Sequence, residues 1–414
     1  MKTRLTRLAA ALLAAGTTLA SAAETVKIAV IDPLSGPFAN VGEAMVRHVQ
    51  LAIDIVNQRG GVLGGTKFEL VTFDSKSNPQ EAQLALKQAI DQGVHYINQT
   101  NGSNVAGALI DAVNKHNERN PDQAVVYLNT GAVDPALTND RCSFWHFRFD
   151  ADADMKMAAL SDAIAANKEV KKLYLINQDY AFGQAVAKAG KEMVSKKRPD
   201  VQIVSDELHP LGKIKDFAPY VAKIKNTGAD AVVTGNWGND MTLLVKAARD
   251  ASYKPDFYTY YAGGLGSPPV LGDAGLGHLK QVTQFHTNIG TEMATKLANA
   301  YRAKFKDSKD DLYYTTHLMA IDMLARAMDA AKSTDPVKVA KALEGMKMQH
   351  AAGEVTMRAD NHQLLQPLFV STYSKVDGKD VKFDVERTGN GFKTDRRVEA
   401  KDTMMPTTCK MTRP

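Results

Sequence analysis

The stretch Val26-Lys27-Ile28-Ala29-Val30-Ile31-Asp32-Pro33-Leu34-Ser35-Gly36-Pro37 joins a short apolar run to a turn rich in proline and glycine. A run of this length, closed by such a turn, suits a strand buried on both faces. Beyond it Met45, Val49, Ile53 and Val56 recur at helical spacing, and Gly60-Gly61 supplies the stop. The unit then repeats. Strands are expected over 67–74, 94–97 and 124–128, with helices over 79–92 and 104–119. Ala82, Leu86 and Ile90 share one helix face. Alternation at this length places parallel strands under covering helices.

The alternation begins again downstream. Strands are expected at 173–177, 201–207, 231–234 and 257–261, and helices at 183–197, 217–226 and 239–251. Between the two α/β units, 144–150 is an extended aromatic stretch suited to a crossover. Past 280–285 the chain turns helical near 291–306, 312–330 and 336–346, and ends in strands at 368–374 and 381–386. The late helices have no strands of their own, so they should return to the first unit. A chain that crosses more than once makes a hinge.

The 414 residues carry 51 Lys+Arg against 46 Asp+Glu, with 44% apolar and 23% charged residues. That balance excludes a disordered polyelectrolyte, and a net charge of +5 offers no basic face for nucleic acid. Lys2, Arg4 and Arg7 precede an apolar run from Leu8 to Leu19 and the small residues Ala20-Ser21-Ala22-Ala23. This reads as a signal peptide cleaved near Ala22 or Ala23, since the run is short of the roughly 20 residues that span a bilayer. No cysteine follows it, so no lipid anchor is expected and the product should reach a periplasm. In an oxidising compartment Cys142 and Cys409 most economically pair, tying the C-terminus back to mid-chain; two buried free thiols are the alternative.

The chain carries no Gly-x-Ser-x-Gly, His-Glu-x-x-His or Cys-x-x-Cys. Gly183 and Gly190-Lys191 are spaced wrongly for a phosphate loop, and Gly263, Gly264 and Gly266 lead into Ser267-Pro268-Pro269 rather than a helix. No two histidines stand three or four apart, as one helix would need to ligate a metal. Neither an enzyme nor a cofactor is expected. The sequence offers instead small, polar turns at strand ends, where open α/β sheets bind ligands. Gln99-Thr100-Asn101-Gly102-Ser103-Asn104 starts a helix whose first N–H groups attract a carboxylate. Ser103 there is a ligand contact, a helix cap, or both. Asn129-Thr130-Gly131-Ala132-Val133-Asp134-Pro135 leaves bare backbone beside Gly131 and Ala132, while Asp134 with Pro135 reads as a cap.

Five segments in this order resemble the Leu/Ile/Val-binding proteins of ABC importers, which are type I periplasmic binding proteins. They are Pro33–Pro37, the 57–64 turn Asn-Gln-Arg-Gly-Gly-Val-Leu-Gly, Asp74 with Asn78-Pro79, Tyr180-Ala181-Phe182-Gly183, and 357–363. The resemblance covers about residues 25 to 390. It implies two doubly wound, Rossmann-like lobes joined by a multi-strand hinge. Residues 25–147 with 286–354 would form lobe 1, 148–285 with 355–395 lobe 2, and 396–414 a tail. It also implies a small-molecule ligand clamped between the lobes, a membrane permease as partner, and a monomer. Carried over, Gly102, Ser103, Asn104, Gly131, Ala132 and Val133 would hold the ligand's polar head, and Phe182, Trp237 and Gly263 would face it from lobe 2. Both aromatics can instead be core residues.

The departures bear on the ligand. Amino-acid binders of this family usually carry a threonine where Val133 stands, a carboxylate near Gly263, and an aromatic where Val41 stands. Asp240 is the nearest substitute for the missing charge. The ligand is then a small amino acid, or an aromatic or aliphatic acid or small amide without an α-amine. A ligand-sensing receptor is the other functional reading.

Overall fold

A computed structural model describes residues 25–414, so the expected signal segment lies outside the described residues. The first half alternates as β1 (Thr25–Asp32), α1 (Ala39–Gln58), β2 (Lys67–Asp74), α2 (Pro79–Asp91), β3 (Tyr96–Gln99), α3 (Ser103–Arg119), β4 (Val126–Asn129) and β5 (His146–Arg148). These strands form one parallel sheet in the order β2-β1-β3-β4-β5. β1 is apolar without alternation because both its faces are covered. Val26, Ile28 and Val30 join one core, while Ala29 and Ile31 join the other with α2 and α3. Asn78 caps α2 by accepting from Gln80 and Glu81 N–H, with Pro79 at the first helical position.

The second half continues through α4 (Ala153–Ala166), β6 (Lys172–Gln178), α5 (Ala181–Lys197), β7 (Gln202–His209), α6 (Ala218–Asn226), β8 (Ala231–Thr234), α7 (Gly238–Asp250), β9 (Asp256–Thr259), α8 (Ser267–Leu271) and β10 (Leu279–Thr283). Then come α9 (Glu292–Lys304), α10 (Thr316–Ala331), α11 (Pro336–Leu343), β11 (Lys347–His350), β12 (Gly353–Met357), β13 (Leu364–Leu365), β14 (Leu368–Lys375) and β15 (Asn390–Val398). The second sheet has the order β15-β14-β10-β9-β8-β6-β7, with β14 antiparallel to both its neighbours, β10 and β15. Helices α10 and α11 pack back on the first unit, in one core with β1 and α1.

Several expectations are corrected. Helix α4 is absent from the periodicity because it is buried nearly all round, against α5 and the second sheet, and so shows no polar stripe. A five-residue helix does start at Ser267, where none was expected. The last strand is β15 rather than 381–386. It is an edge strand whose charged residues Lys393, Asp395, Arg396 and Arg397 mask the pattern and protect the edge. The small antiparallel sheet β11-β12-β13 was also not foreseen. The chain passes between the units after β5, after β10 and after β13. The boundaries expected at 147/148, 354/355 and 395/396 therefore cut through β5, β12 and β15.

The crossings are fastened to each other. Arg148, fully buried, bonds Gln363, the carbonyl of Asp134, Thr138 and Asp152. Gln363 and Gln366 donate back to the carbonyls of Asp150 and Phe149. Past β15 the tail returns to the first unit, where Cys409 is bridged to Cys142.

Candidate functional site

Both sheets end at one cavity. Counting its open mouth, it holds about 410 Å³ of space between protein atoms. Gly102, Ser103, Gly131, Ala132, Val133, Phe182 and Trp237 all line it, so seven residues singled out from sequence come together. Asn104 and Gly263 do not. Asn104 contributes only its place in the first turn of α3. At Gly263 a Cβ would lie 1.8 Å from Gln281 Oε1, so Gln281 fills the space where a carboxylate was expected.

The lobe-1 wall is built on Asp32, the last residue of β1. Its buried carboxylate accepts from the backbone N–H of Thr100 (3.1 Å) and Asn101 (2.8 Å) and from Asn101 Nδ2 (3.1 Å). Burial pushes its pKa up to about 6, against the pull of those bonds. The fixed turn hands over to Gly102, whose φ of +93° suits glycine, and α3 begins. The first backbone bond of that helix runs from Ala106 N to the Gly102 carbonyl, which leaves the N–H groups of Ser103, Asn104 and Val105 ahead of it. Ser103 does not cap the helix. Its Oγ accepts from Asp134 N (3.2 Å) and joins the two lobe-1 turns. Asp134 is a cap, accepting from Ala136 N.

One expectation for this wall fails. The N–H groups of Gly131 and Ala132 both donate to Asn129 Oδ1, so they are not free for a ligand. What Gly131 provides is closeness, since a Cβ there would meet Thr100 Cγ2 at 2.5 Å.

The facing wall is aromatic. Tyr180 and Phe182 follow β6, Trp237 follows β8, and Tyr261 follows β9. Tyr313 and Tyr314 enter from the turn before α10. Val41 and Leu265 complete the apolar lining. Trp237 Nε1 donates to Tyr180 Oη at 2.8 Å. Phe182 packs edge-on against Tyr180 and Tyr260. Burial raises the phenols of Tyr180, Tyr261, Tyr313 and Tyr314 well above the usual range, so all four stay neutral. The four tyrosines were not assigned from sequence. The doublets Tyr260-Tyr261 beside Gly263-Gly264 and Tyr313-Tyr314 before a helix were the available signal.

Among the described residues lining the cavity, none has a charged side chain. Asp240, the proposed substitute, is turned away. It accepts from Gln178 Nε2 (2.8 Å) and Gly212 N (2.9 Å). Asp150 is paired with Lys156 at 2.6 Å, behind Tyr261.

Residues 25–379 match the family model described as periplasmic binding protein. The chain is 32% identical over 415 residues to "Leu/Ile/Val-binding protein homolog 4" of Brucella abortus (strain 2308), covering 98% of this chain and 97% of that one. It superposes with a TM-score of 0.82 and 30% identity on a crystal structure from Brucella ovis, the leucine-, isoleucine-, valine-, threonine-, and alanine-binding protein in a closed conformation. That match covers 95% of this chain and all of the other. A Rhodopseudomonas palustris solute-binding protein of an ABC transporter, solved with 3,4-dihydroxybenzoic acid, shares the fold with a TM-score of 0.77 at 19% identity. It covers 91% of this chain and 98% of that one.

Proposed function

The chain belongs to the periplasmic binding protein family, among the Leu/Ile/Val-binding proteins, and from that premise we propose that its ligand is a small carboxylate lacking an α-ammonium. The protein is the solute-binding component of an ABC importer, holding a small molecule between two lobes for delivery to a membrane permease. The observation that carries the ligand reading is the lining itself. An unpaired ammonium buried in this cavity costs several kcal/mol. The nearby carboxylates Asp32, Asp150 and Asp240 do not line the cavity, and each already accepts from protein donors through one oxygen. A carboxylate, by contrast, meets the leading N–H groups of α3 and the positive end of its dipole. Aromatic rings on the other wall suit an apolar or aromatic body.

Export follows from residues 1–23, cleaved near Ala22 or Ala23, with the mature chain acting in the periplasm as a monomer that binds and does not turn over its ligand. Moving such a protein from mostly open to mostly closed takes roughly 5 kcal/mol of differential affinity, which a micromolar ligand can supply. Calorimetry with leucine against 4-methylpentanoate, which differ only in the α-amine, tests the reading. Binding of the des-amino acid with little response to leucine is expected. Tighter binding of leucine overturns it.

A further inference from the structure

The hydrogen-bond donors behind the aromatic wall decide which way its hydroxyls point. Lys156 is fully buried in α4, paired with Asp150 at 2.6 Å, and its Nζ lies 3.4 Å from Tyr261 Oη and 4.8 Å from the ring centroid. An ammonium has hydrogens and no lone pair, so Tyr261 Oη is the acceptor in that contact. The result is the same if Asp150 and Lys156 share their proton the other way. The amine's lone pair then faces Asp150, and its remaining N–H groups still face Tyr261. The indole Nε1 of Trp237, 2.8 Å from Tyr180 Oη, is likewise a donor only. Neither phenol can donate back to these groups, so each hydrogen is turned away from them, and both tyrosines line the cavity.

Resting on the carboxylate reading above, we infer that Tyr180 and Tyr261 form a second, hydrogen-donating pole facing α3, and that the ligand carries a distal oxygen acceptor besides its carboxylate. Lys156 is then a positioning residue, acting through Tyr261. The lobe-1 wall matches this polarity. Ser103 Oγ accepts from Asp134 N, so its hydrogen too is free for the ligand. Both ends of the cavity can present hydrogens, and the described lining holds no carboxylate to receive a ligand ammonium. Keto acids, hydroxy acids and dicarboxylates share the required chemistry, and amines at the distal end do not.

The test is a calorimetric comparison of benzoate, 4-acetylbenzoate and 4-(aminomethyl)benzoate on the full mature protein. The wild type is expected to favour 4-acetylbenzoate over benzoate by about tenfold, the worth of one well-placed hydrogen bond. Tyr261→Phe removes most of that preference. Lys156→Met combined with Asp150→Asn, which strands no charge, reduces the preference while Tyr261 is retained. A merely structural role would weaken both acids alike and leave their ratio unchanged, and thermal melts establish that each variant is folded. An unchanged ratio in Tyr261→Phe, or tightest binding of the aminomethyl acid, overturns the inference and leaves the carboxylate reading standing. Failure of the wild type to bind any of the three overturns the inference, while leucine against 4-methylpentanoate decides the carboxylate reading separately.

Discussion

Phe38 and Trp237 stack with ring centroids 4.2 Å apart and planes inclined by 29°, and they come from opposite sides of the cleft. Phe38 follows β1 in the first unit, whereas Trp237 precedes α7 in the second. The fit depends on two glycines. A Cβ at Gly212 or Gly238 would come within 2.7 Å or 2.9 Å of the Phe38 ring. The stack is a contact that exists only when the lobes meet, so it stabilises the closed arrangement rather than either lobe.

Phe38→Ala should therefore act on closure. Aromatic pairs contribute about 0.5–1.5 kcal/mol beyond their burial, so ligand affinity should fall by about two- to tenfold. Small-angle scattering at a ligand concentration that half-closes the wild type should show a larger radius for the variant, with the melting temperature little changed. A large loss of melting temperature at unchanged affinity would place Phe38 in core packing instead.

Ser103→Ala removes the hydroxyl that joins the α3 turn to Asp134 and faces the cavity. The loss of a hydrogen bond to a charged ligand is worth about 1.5–3 kcal/mol, which calorimetry would read as a weakening of tenfold or more. Since the hydroxyl does not cap the helix, secondary structure by circular dichroism should be unaffected. Equal affinity in variant and wild type would remove Ser103 from the site.

Gly102, Ser103, Gly131, Ala132 and Val133 were legible because they stand in small, polar turns where strands end, whereas Phe182 and Trp237 came from the family resemblance alone. Tyr313 and Tyr314 were not, because they reach the cavity from the far end of the chain through the return of α10 to the first unit. Lys156 was hidden for a related reason. It lies on a helix with no polar face, where a lone lysine is uninformative until Asp150 and Tyr261 are seen beside it. Gly131 and Ala132 line the cavity, but only the fold shows that Asn129 folds over their N–H groups.

The cystine at Cys142 and Cys409 fastens a strap. From β15 the tail passes Arg358, which donates to the Met405 carbonyl, and reaches the first unit. There Thr408 N donates to Asn139 Oδ1, and Arg413 pairs with Glu344. The bridge closes a separation of 267 residues, so it removes much freedom from the unfolded chain. Cys142→Ser with Cys409→Ser should lower stability to urea by about 2–5 kcal/mol. Wild type in reductant should match the double variant. Coincident unfolding curves for oxidised wild type and variant would show that the strap carries no stability.

His48 links acidity to the cavity. Its ring is buried, and Nε2 accepts from the backbone N–H of Tyr313 (2.9 Å) and Tyr314 (3.4 Å), so Nδ1 carries the proton towards the Ala44 carbonyl. A proton on Nε2 would set one donor against two others. Burial is the main cause that lowers its pKa from 6.5 to about 4. The unfolded chain therefore takes up this proton near 6.5, and the folded one resists it until about 4. The contribution is complete above the unfolded value. It declines by about 1.4 kcal/mol per pH unit through the window, and is lost, about 3 kcal/mol in all, once pH passes below the folded value. Asp32 works in the opposite sense, since its raised pKa stabilises the fold on the acid side and is lost as pH rises through about 6. A variant is needed to separate the two. His48→Gln keeps an acceptor and cannot titrate, so urea unfolding at pH 7, 5.5 and 4.5 should give it a shallower decline than wild type. Parallel declines would show that the proton is taken up elsewhere.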